Sequence, residues 1–315
     1  MRRHRTRPFA LVLAGGGARG YAHLGVLRSL QHMGLAPAGL VGVSMGAVVA
    51  ATYALREDWY EALLSADLGG FPHPNPRQPS SQERPPAIRQ VLDYAHTAWN
   101  MVTGWGAPSE MAEAGRAFLT ELLGSKQLEE GRIPVIVCAT DLGSGARIPF
   151  SSGPAAAAVY ASSALAGILP PAVEGDRVLV DGTYADIAPV DLARSMGWPV
   201  VIAVDPGQVS GAGPITNGLQ AVLRAVEICH HGHAYRRLRE ADLVLQPHFA
   251  RVIDVLEFGA RRECVAAGIE VVRARRYDIE RTLVSGGLTR RRSRTLLRPT
   301  SSTFHTVGDD RASRS

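Results

Sequence analysis

The sequence has very little lysine and cysteine. Lys126 is the sole lysine among 34 basic residues, so arginine carries almost all of the formal net charge of +5. The three cysteines, Cys138, Cys229 and Cys264, are odd in number and far apart, which argues against a disulfide framework or a zinc site. We therefore expect each cysteine to be a small buried apolar side chain.

Long apolar runs are also missing. No stretch approaches the roughly 20 residues needed to span a bilayer, and the apolar run after the N-terminal arginines stops at Gly15, short of a usual signal peptide. We expect a cytoplasmic protein without a signal peptide or transmembrane segment, able to touch the inner face of a membrane. The basic ends, residues 1–8 and 286–315, are interpreted as solvated disordered arms, and we expect no nucleic-acid partner.

Between these ends, residues 9–285 have the composition of one large domain. Strand-like apolar runs occur at residues 9–14, 40–43, 133–139, 177–180 and 200–204, and helical patterns lie between them. Runs that are apolar on both faces indicate a mostly parallel sheet covered on both sides, an α/β fold of three α/β/α layers. In the first helix Ala22, Val26, Leu30 and Met33 form one stripe, and Gly34 is placed to end it.

Residues 69–108 interrupt this alternation. A stretch rich in proline and polar residues comes first and predicts a loop, and an apolar helical pattern with several aromatic residues follows. The segment is either a mobile lid or membrane-contacting element, or an ordinary helix that packs on the sheet.

The first strand runs into a glycine-rich turn, "GGGARG". Gly15, Gly17 and Gly20 fit the dinucleotide fingerprint G-x-G-x-x-G. That fingerprint also needs an acidic residue about 20 positions further on, and the chain has none before Glu57. Nucleotide binding is therefore the less favoured interpretation of the turn.

A second motif gives the glycines another role. Gly42, Ser44 and Gly46 form G-x-S-x-G between an apolar strand and an Ala-rich helix, the context of a nucleophile elbow. The alternative is a serine that merely caps the helix. A serine nucleophile needs backbone N–H donors for the oxyanion that it creates, and a glycine-rich loop can supply them.

The serine also needs a base, and histidine is the usual one. No histidine stands out, since His23 lies in the first helix and His230, His231 and His233 crowd one later helical stretch. Asp181 is more suggestive, because it ends an apolar strand and should lie at the carboxyl-terminal edge of a parallel sheet. The alternative is a turn-forming pair with Gly182.

These motifs resemble the bacterial patatin-like phospholipases, whose pattern is a G-G-G-x-R-G loop, a G-x-S-x-G serine and an Asp-Gly-Gly/Ala aspartate. Residues 138–145 and 161–173 also resemble the family's middle blocks. The resemblance implies a patatin-like fold and a Ser–Asp dyad with no histidine, acting on lipid or acyl-ester substrates. Hydrolysis by such a dyad requires no metal or organic cofactor, and we expect none. The positions carried over are Gly15, Gly16, Gly17, Arg19 and Gly20 for the oxyanion loop, Ser44 for the nucleophile and Asp181 for the base.

The chain departs from the family pattern at three positions. Thr183 stands where the family usually has Gly or Ala, Ala166 where proline is common, and Ile187 where asparagine is often found. Two alternatives stay open beside acyl-ester hydrolysis by a Ser–Asp dyad. One is a lipid-binding or regulatory protein that has lost turnover. The other is an esterase with a hidden histidine base, for which the candidates are His230, His231, His233 and His248.

Overall fold

A computed structural model describes residues 6–66, 108–208, 215 and 218–284. The chain divides into two units, Met1–Val284 and Ser285–Ser315. The second unit, most of the predicted N-terminal arm and nearly all of the predicted loop and lid at 69–108 lie outside the described residues. The three features stay predictions.

A central sheet organises the described part of the first unit. Its eight strands are β1 (Phe9–Leu13), β2 (Gly39–Val43), β3 (Val135–Asp141), β4 (Arg147–Phe150), β5 (Ala172–Glu174), β6 (Arg177–Asp181), β7 (Val200–Val204) and β8 (Leu243–Leu245). The strand order is β5-β6-β3-β2-β1-β7-β8, and β4 pairs with β3 outside this path. In the part of the order that reads β3-β2-β1-β7-β8, neighbouring strands are parallel. In contrast, β4 and β6 run antiparallel to β3, and β5 runs antiparallel to β6. The prediction of a mostly parallel sheet is confirmed.

Helices lie between most of the strands. They are α1 (Ala22–His32), α2 (Met45–Leu55), α3 (Trp59–Ser65), α4 (Pro108–Leu123), α5 (Ala155–Ser163), α6 (Val190–Ser195), α7 (Gly218–Leu238), α8 (Arg261–Ala274) and α9 (Arg276–Val284). The first helix carries its predicted buried stripe of Ala22, Val26 and Leu30. Gly34 follows it with a φ of 72°, a left-handed conformation that ends helices at low cost.

Side chains along the central strands alternate between two apolar cores, one on each face of the sheet. Leu11 and Leu13 belong to a core shared with α1, α2, α5 and α8. Ala10 and Val12 belong to a second core with α6 and α7. Helices therefore cover both faces, which explains the two-faced apolar runs and confirms the three α/β/α layers.

Two expectations from composition can be compared with this fold. Within the described ranges, the helices are too short or too polar to cross a bilayer. Cys138 and Cys264 are buried as expected, but Cys229 is exposed, so the expectation is wrong for that residue. The physical reason is its position on the outward face of α7.

Candidate active site

Ser44 occupies a sharp turn between β2 and α2. Its backbone has φ 55° and ψ −127°, and it is the single non-glycine residue with positive φ in the described part of the chain. Such a conformation costs about 1–3 kcal/mol and persists where the surroundings enforce it. A Cβ on Gly42 would come within 2.5 Å of the Gly46 carbonyl oxygen, and a Cβ on Gly46 would overlap the Leu13 carbonyl. The two motif glycines therefore permit the close approach that holds Ser44 in place.

The hydroxyl of Ser44 faces the carboxylate of Asp181, the residue that ends β6. Ser44 Oγ donates a hydrogen bond of 2.6 Å to Asp181 Oδ2. Asp181 is buried, and its backbone is fixed twice. Its N–H donates to the Ala164 carbonyl at 2.9 Å, and its own carbonyl accepts from Thr140 Oγ1 at 2.9 Å. The structure thus brings together the serine and the aspartate of two motifs far apart in the sequence.

Strand register places these two residues at one level of the sheet. Val43 of β2 lies opposite Cys138 of β3, and Asp181 of β6 lies opposite Ala139 of β3. Ser44, one residue beyond Val43, is therefore level with Asp181, with β3 between their backbones. The sequence placed Asp181 at the carboxyl-terminal edge of a parallel sheet, but the strand that it ends, β6, is not parallel to β3. Because β6 is antiparallel to β3, Asp181 reaches this level from the opposite direction.

A second serine, Ser162 of α5, ties the turn to the middle strand. The Ser44 N–H donates to Ser162 Oγ at 2.9 Å, and Ser162 Oγ donates to the Cys138 carbonyl at 2.6 Å. A Cβ on Gly182 would overlap that same carbonyl, so glycine is required after Asp181. Sequence reasoning missed the role of Ser162, although the residue lies in a block that resembles the family.

Thr183 binds the other carboxylate oxygen of Asp181. Its N–H and its Oγ1 donate to Asp181 Oδ1 at 2.9 and 2.7 Å. Burial raises the pKa of Asp181 because it disfavours the charged form, while hydrogen bonds from Ser44 and Thr183 oppose the rise by stabilising the carboxylate. A raised pKa brings a base closer to neutral pH, where proton transfer is most effective. The threonine that departs from the family pattern therefore contacts the aspartate directly.

The glycine loop between β1 and α1 lies against Ser44. A Cβ on Gly15 would lie 3.5 Å from Ser44 Cβ and would overlap the Thr183 methyl group. The Gly15 N–H donates to the Ile187 carbonyl at 3.2 Å. The expectation that Gly15 supplies a free N–H to an oxyanion is therefore wrong, because that donor already has an acceptor. Ile187, the other departure from the family pattern, holds the loop through its backbone.

The next two glycines, Gly16 and Gly17, have backbone N–H groups that differ from that of Gly15. Gly17 has a φ of 55°, and the following N–H, that of Ala18, donates to the Val255 carbonyl at 2.8 Å. Within the residues described, the N–H groups of Gly16 and Gly17 have no acceptor. A Cβ on Gly20 would overlap the side chain of Met45, so glycine there lets the loop pack on α2. Gly16 and Gly17 are thus the loop residues with donors left for a ligand.

Arg19 is buried and holds this loop in position. Its Nε donates to the Gly16 carbonyl at 3.4 Å, and its terminal nitrogens donate to the Gln208 carbonyl at 2.8 Å and to Glu227 Oε1 at 2.9 Å. The Gly16 carbonyl and the Gly17 N–H belong to one planar peptide and point in opposite directions. By holding the carbonyl, Arg19 orients the Gly17 N–H away from itself, which makes Arg19 a positioning residue.

An apolar cavity of about 170 Å³ opens beside Ser44 and Asp181. Its apolar lining includes Met45, Val48, Leu165, Ile168, Leu256 and Phe258. Such a lining suits a hydrocarbon chain, whereas a pyrophosphate needs many polar donors. The cavity therefore favours an acyl group over a nucleotide at the glycine loop.

The contacts of the histidines do not include the Ser44 hydroxyl in the part of the chain that the structure describes. His230 and His231 line the cavity, and the ring of His230 packs on Tyr184 at 5.6 Å. His23 Nε2 lies 2.9 Å from the Ala14 carbonyl, and His248 Nδ1 lies 3.0 Å from the carbonyl of its neighbour Phe249. Among the described residues, no histidine hydrogen-bonds to Ser44, and no group of three or more His, Cys, Asp or Glu could hold a metal ion.

Comparison with known proteins identifies relatives for much of this region. A model of the patatin-like phospholipase family matches residues 11–194. Patatin-like phospholipase domain-containing protein 7 of Rattus norvegicus is 30% identical over 200 residues, which cover 63% of this chain and 13% of that protein. Lysophospholipase NTE1 of Kluyveromyces lactis is 28% identical over 211 residues, which cover 66% of this chain and 13% of that protein.

A bacterial relative and a solved structure give further matches. An NTE family protein of Mycobacterium bovis is 33% identical over 205 residues, which cover 65% of this chain and 50% of that protein. The crystal structure of VipD from Legionella pneumophila aligns with a TM-score of 0.48 and 14% identity, covering 85% of this chain and 66% of that chain.

The matched part of this chain spans half of the mycobacterial relative and 13% of the rat and yeast proteins. The family match, at residues 11–194, takes in the glycine loop, the Ser44 turn and Asp181. It covers more than half of the 315 residues. This chain belongs to the patatin-like phospholipase family.

Proposed function

We propose that this chain is a serine acyl hydrolase that cleaves fatty acyl esters of lipids with Ser44 as nucleophile and Asp181 as base. One observation carries the proposal. Ser44 Oγ donates a 2.6 Å hydrogen bond to buried Asp181 at an apolar cavity that the glycine loop also lines. Family membership and a relative named as a lysophospholipase support a lipid ester as the substrate.

In the first half-reaction Ser44 Oγ attacks the ester carbonyl carbon while Asp181 takes the hydroxyl proton. The carbonyl oxygen becomes an oxyanion, for which the N–H groups of Gly16 and Gly17 and the N-terminal end of α2 are the donors. The intermediate collapses by breaking the bond to the alcohol oxygen. That oxygen takes the proton from Asp181, the alcohol leaves, and the acyl group stays on Ser44.

In the second half-reaction water replaces Ser44 as the nucleophile. A water molecule gives a proton to Asp181 and attacks the acyl carbon, which forms an oxyanion in the same place. When this intermediate collapses, the bond to Ser44 Oγ breaks and Asp181 returns the proton to Ser44. A fatty acid leaves, and the enzyme regains its starting state.

Replacement of Ser44 by alanine tests this proposal. The purified full chain is assayed on short-chain esters and on phospholipid esters, and Ser44→Ala should lose hydrolysis of both. Ser195→Ala, which removes an exposed hydroxyl at the end of α6, serves as the matched control and should keep it. Hydrolysis retained by pure Ser44→Ala protein would contradict the proposal.

Labelling of Ser44 and substitution of single histidines distinguish the proposal from the two alternatives. A lipid-binding protein without turnover, suggested by Thr183 and Ile187, would carry bound lipid and give no fluorophosphonate adduct on Ser44. An esterase with a histidine base would lose activity when the critical histidine is replaced. The proposal predicts that activity survives each single substitution of His230, His231, His233 and His248.

A further inference from the structure

Helix α7 has one face toward the cavity. Val226, Glu227, His230, His231 and Ala234 all line the cavity beside Ser44. Ala234 and, one turn later, Leu238 are buried in the second core. This face of α7 therefore lines the cavity and packs on the second core.

The opposite face of α7 is exposed and apolar. Its exposed members recur every three or four residues, so they form one stripe along the helix: Ala221, Val222, Ala225, Ile228, Cys229, Gly232 and Tyr235. Val222, Ile228 and Tyr235 are 55%, 59% and 47% exposed. The stripe extends over about 21 Å of helix axis.

Charge avoids this stripe. Between Ala221 and Tyr235, the exposed positions that the structure describes include no Asp, Glu, Lys or Arg. The one acidic side chain of that stretch, Glu227, lies on the cavity face and pairs with Arg19 at 2.9 Å. Arg224 is partly exposed beside the stripe and lies 3.8 Å from Glu227. Exposed arginines, Arg236 and Arg239, stand at one end of the stripe, where the Arg239 guanidinium lies 5.9 Å from the Tyr235 ring.

We propose that this stripe docks the protein on the surface of a membrane that contains anionic lipids. Apolar side chains on the exposed face of a helix can enter a membrane interface while a tyrosine and arginines at one end lie at headgroup level. The two arginines complement anionic headgroups. The inference deepens the proposed function, because docking through the outer face of α7 would bring the cavity on its inner face close to lipid esters.

The test uses the full chain in a Ser44→Ala background, so that vesicles stay intact. Binding to phosphatidylcholine vesicles with and without phosphatidylglycerol is measured by flotation. The parent should bind, and more strongly when phosphatidylglycerol is present. Ile228→Gln/Tyr235→Gln should weaken binding about tenfold or more, since two apolar side chains leave the interface. Arg236→Gln/Arg239→Gln should remove only the preference for anionic lipid.

A matched pair on other helices serves as the control. Ile269 and Tyr277 are 39% and 72% exposed, and Arg281 lies 6.0 Å from the Tyr277 ring just as Arg239 lies near Tyr235. Ile269→Gln/Tyr277→Gln should bind vesicles like the parent. Circular dichroism checks folding, and Ile228→Gln alone, with an intermediate loss, serves if the double variant does not fold.

Three outcomes would overturn the docking proposal. They are absence of vesicle binding by the parent, equal losses in the two double variants, and dissociation of a dimer in Ile228→Gln/Tyr235→Gln, which would make a second copy the occupant. Failure of the proposed function has a different signature, because it appears as absent hydrolysis of soluble short-chain esters by the chain with Ser44 intact. With that serine intact, Ile228→Gln/Tyr235→Gln should hydrolyse soluble esters normally and vesicle lipids poorly.

Discussion

Thr183 and Asp181 are joined by a hydrogen bond of 2.7 Å from the threonine hydroxyl to Asp181 Oδ1. Ser44 occupies the other carboxylate oxygen at 2.6 Å. The Thr183 methyl group also fills the space above Gly15, where a Cβ would overlap it. One side chain thus links the proposed base to the loop that carries the proposed oxyanion donors.

Replacing Thr183 by alanine should shift the pH dependence of hydrolysis. The hydroxyl stabilises the charged carboxylate, so its loss should raise the pKa of Asp181 further. Because the base must be deprotonated, the acidic limb of kcat/KM should move to higher pH, with a loss of about tenfold on that limb. Thr183→Ser keeps the hydroxyl and should keep the profile. An unmoved limb in Thr183→Ala would show that the threonine does not tune the base.

Replacing Arg19 by methionine should slow the reaction by freeing the Gly16–Gly17 peptide. We expect kcat to fall about 100-fold, as when one oxyanion donor is lost, with little change in KM. The change also removes the partner of Glu227, so stability should drop. In Arg19→Met/Glu227→Gln stability should recover while kcat stays low. Arg276→Met, at an exposed ion pair of α9, is the control. Recovery of kcat together with stability would assign Arg19 a structural role only.

His23 should make the fold sensitive to acid. Burial lowers the pKa of His23 from 6.5 to about 4, so the unfolded chain takes up a proton at a higher pH than the folded protein. Stability is therefore full above pH 6.5 and falls as the pH drops from 6.5 toward 4, by about 3 kcal/mol in total. Urea unfolding across this range should show a smaller fall in His23→Gln.

The control for this prediction is His32→Gln, at the exposed end of α1. This variant should keep the pH dependence of the wild type, since the His32 ring is exposed to solvent in the folded protein. Superimposable pH dependences for wild type and His23→Gln would contradict the account of His23.

Much of the fold could be predicted from local patterns. The five apolar runs correspond to β1, β2, β3, β6 and β7, because strands buried on both faces have to be continuously apolar. The short strands β4, β5 and β8 were missed, since three or four residues at or near a sheet edge leave no distinctive pattern. The direction of β6 was also missed, because pairing depends on residues distant in sequence.

The candidate site shows the same division. Gly42, Ser44 and Gly46 could be found because a strained turn demands a fixed residue pattern. The roles of Ser162, Thr183 and the Ile187 carbonyl could not, because each depends on a contact that forms only in the folded chain. The departures from the family pattern at Thr183 and Ile187 marked the right positions without revealing their contacts.

The most direct test of the account is the rate at which Ser44 reacts with a fluorophosphonate, followed by intact-protein mass spectrometry and peptide mapping. The wild type should gain one adduct, on Ser44. The reaction rate of Asp181→Asn should be lower by at least about 100-fold, because the base that takes the Ser44 proton is gone. Equal rates in wild type and Asp181→Asn, or an adduct on another residue, would contradict the proposal that Asp181 activates Ser44.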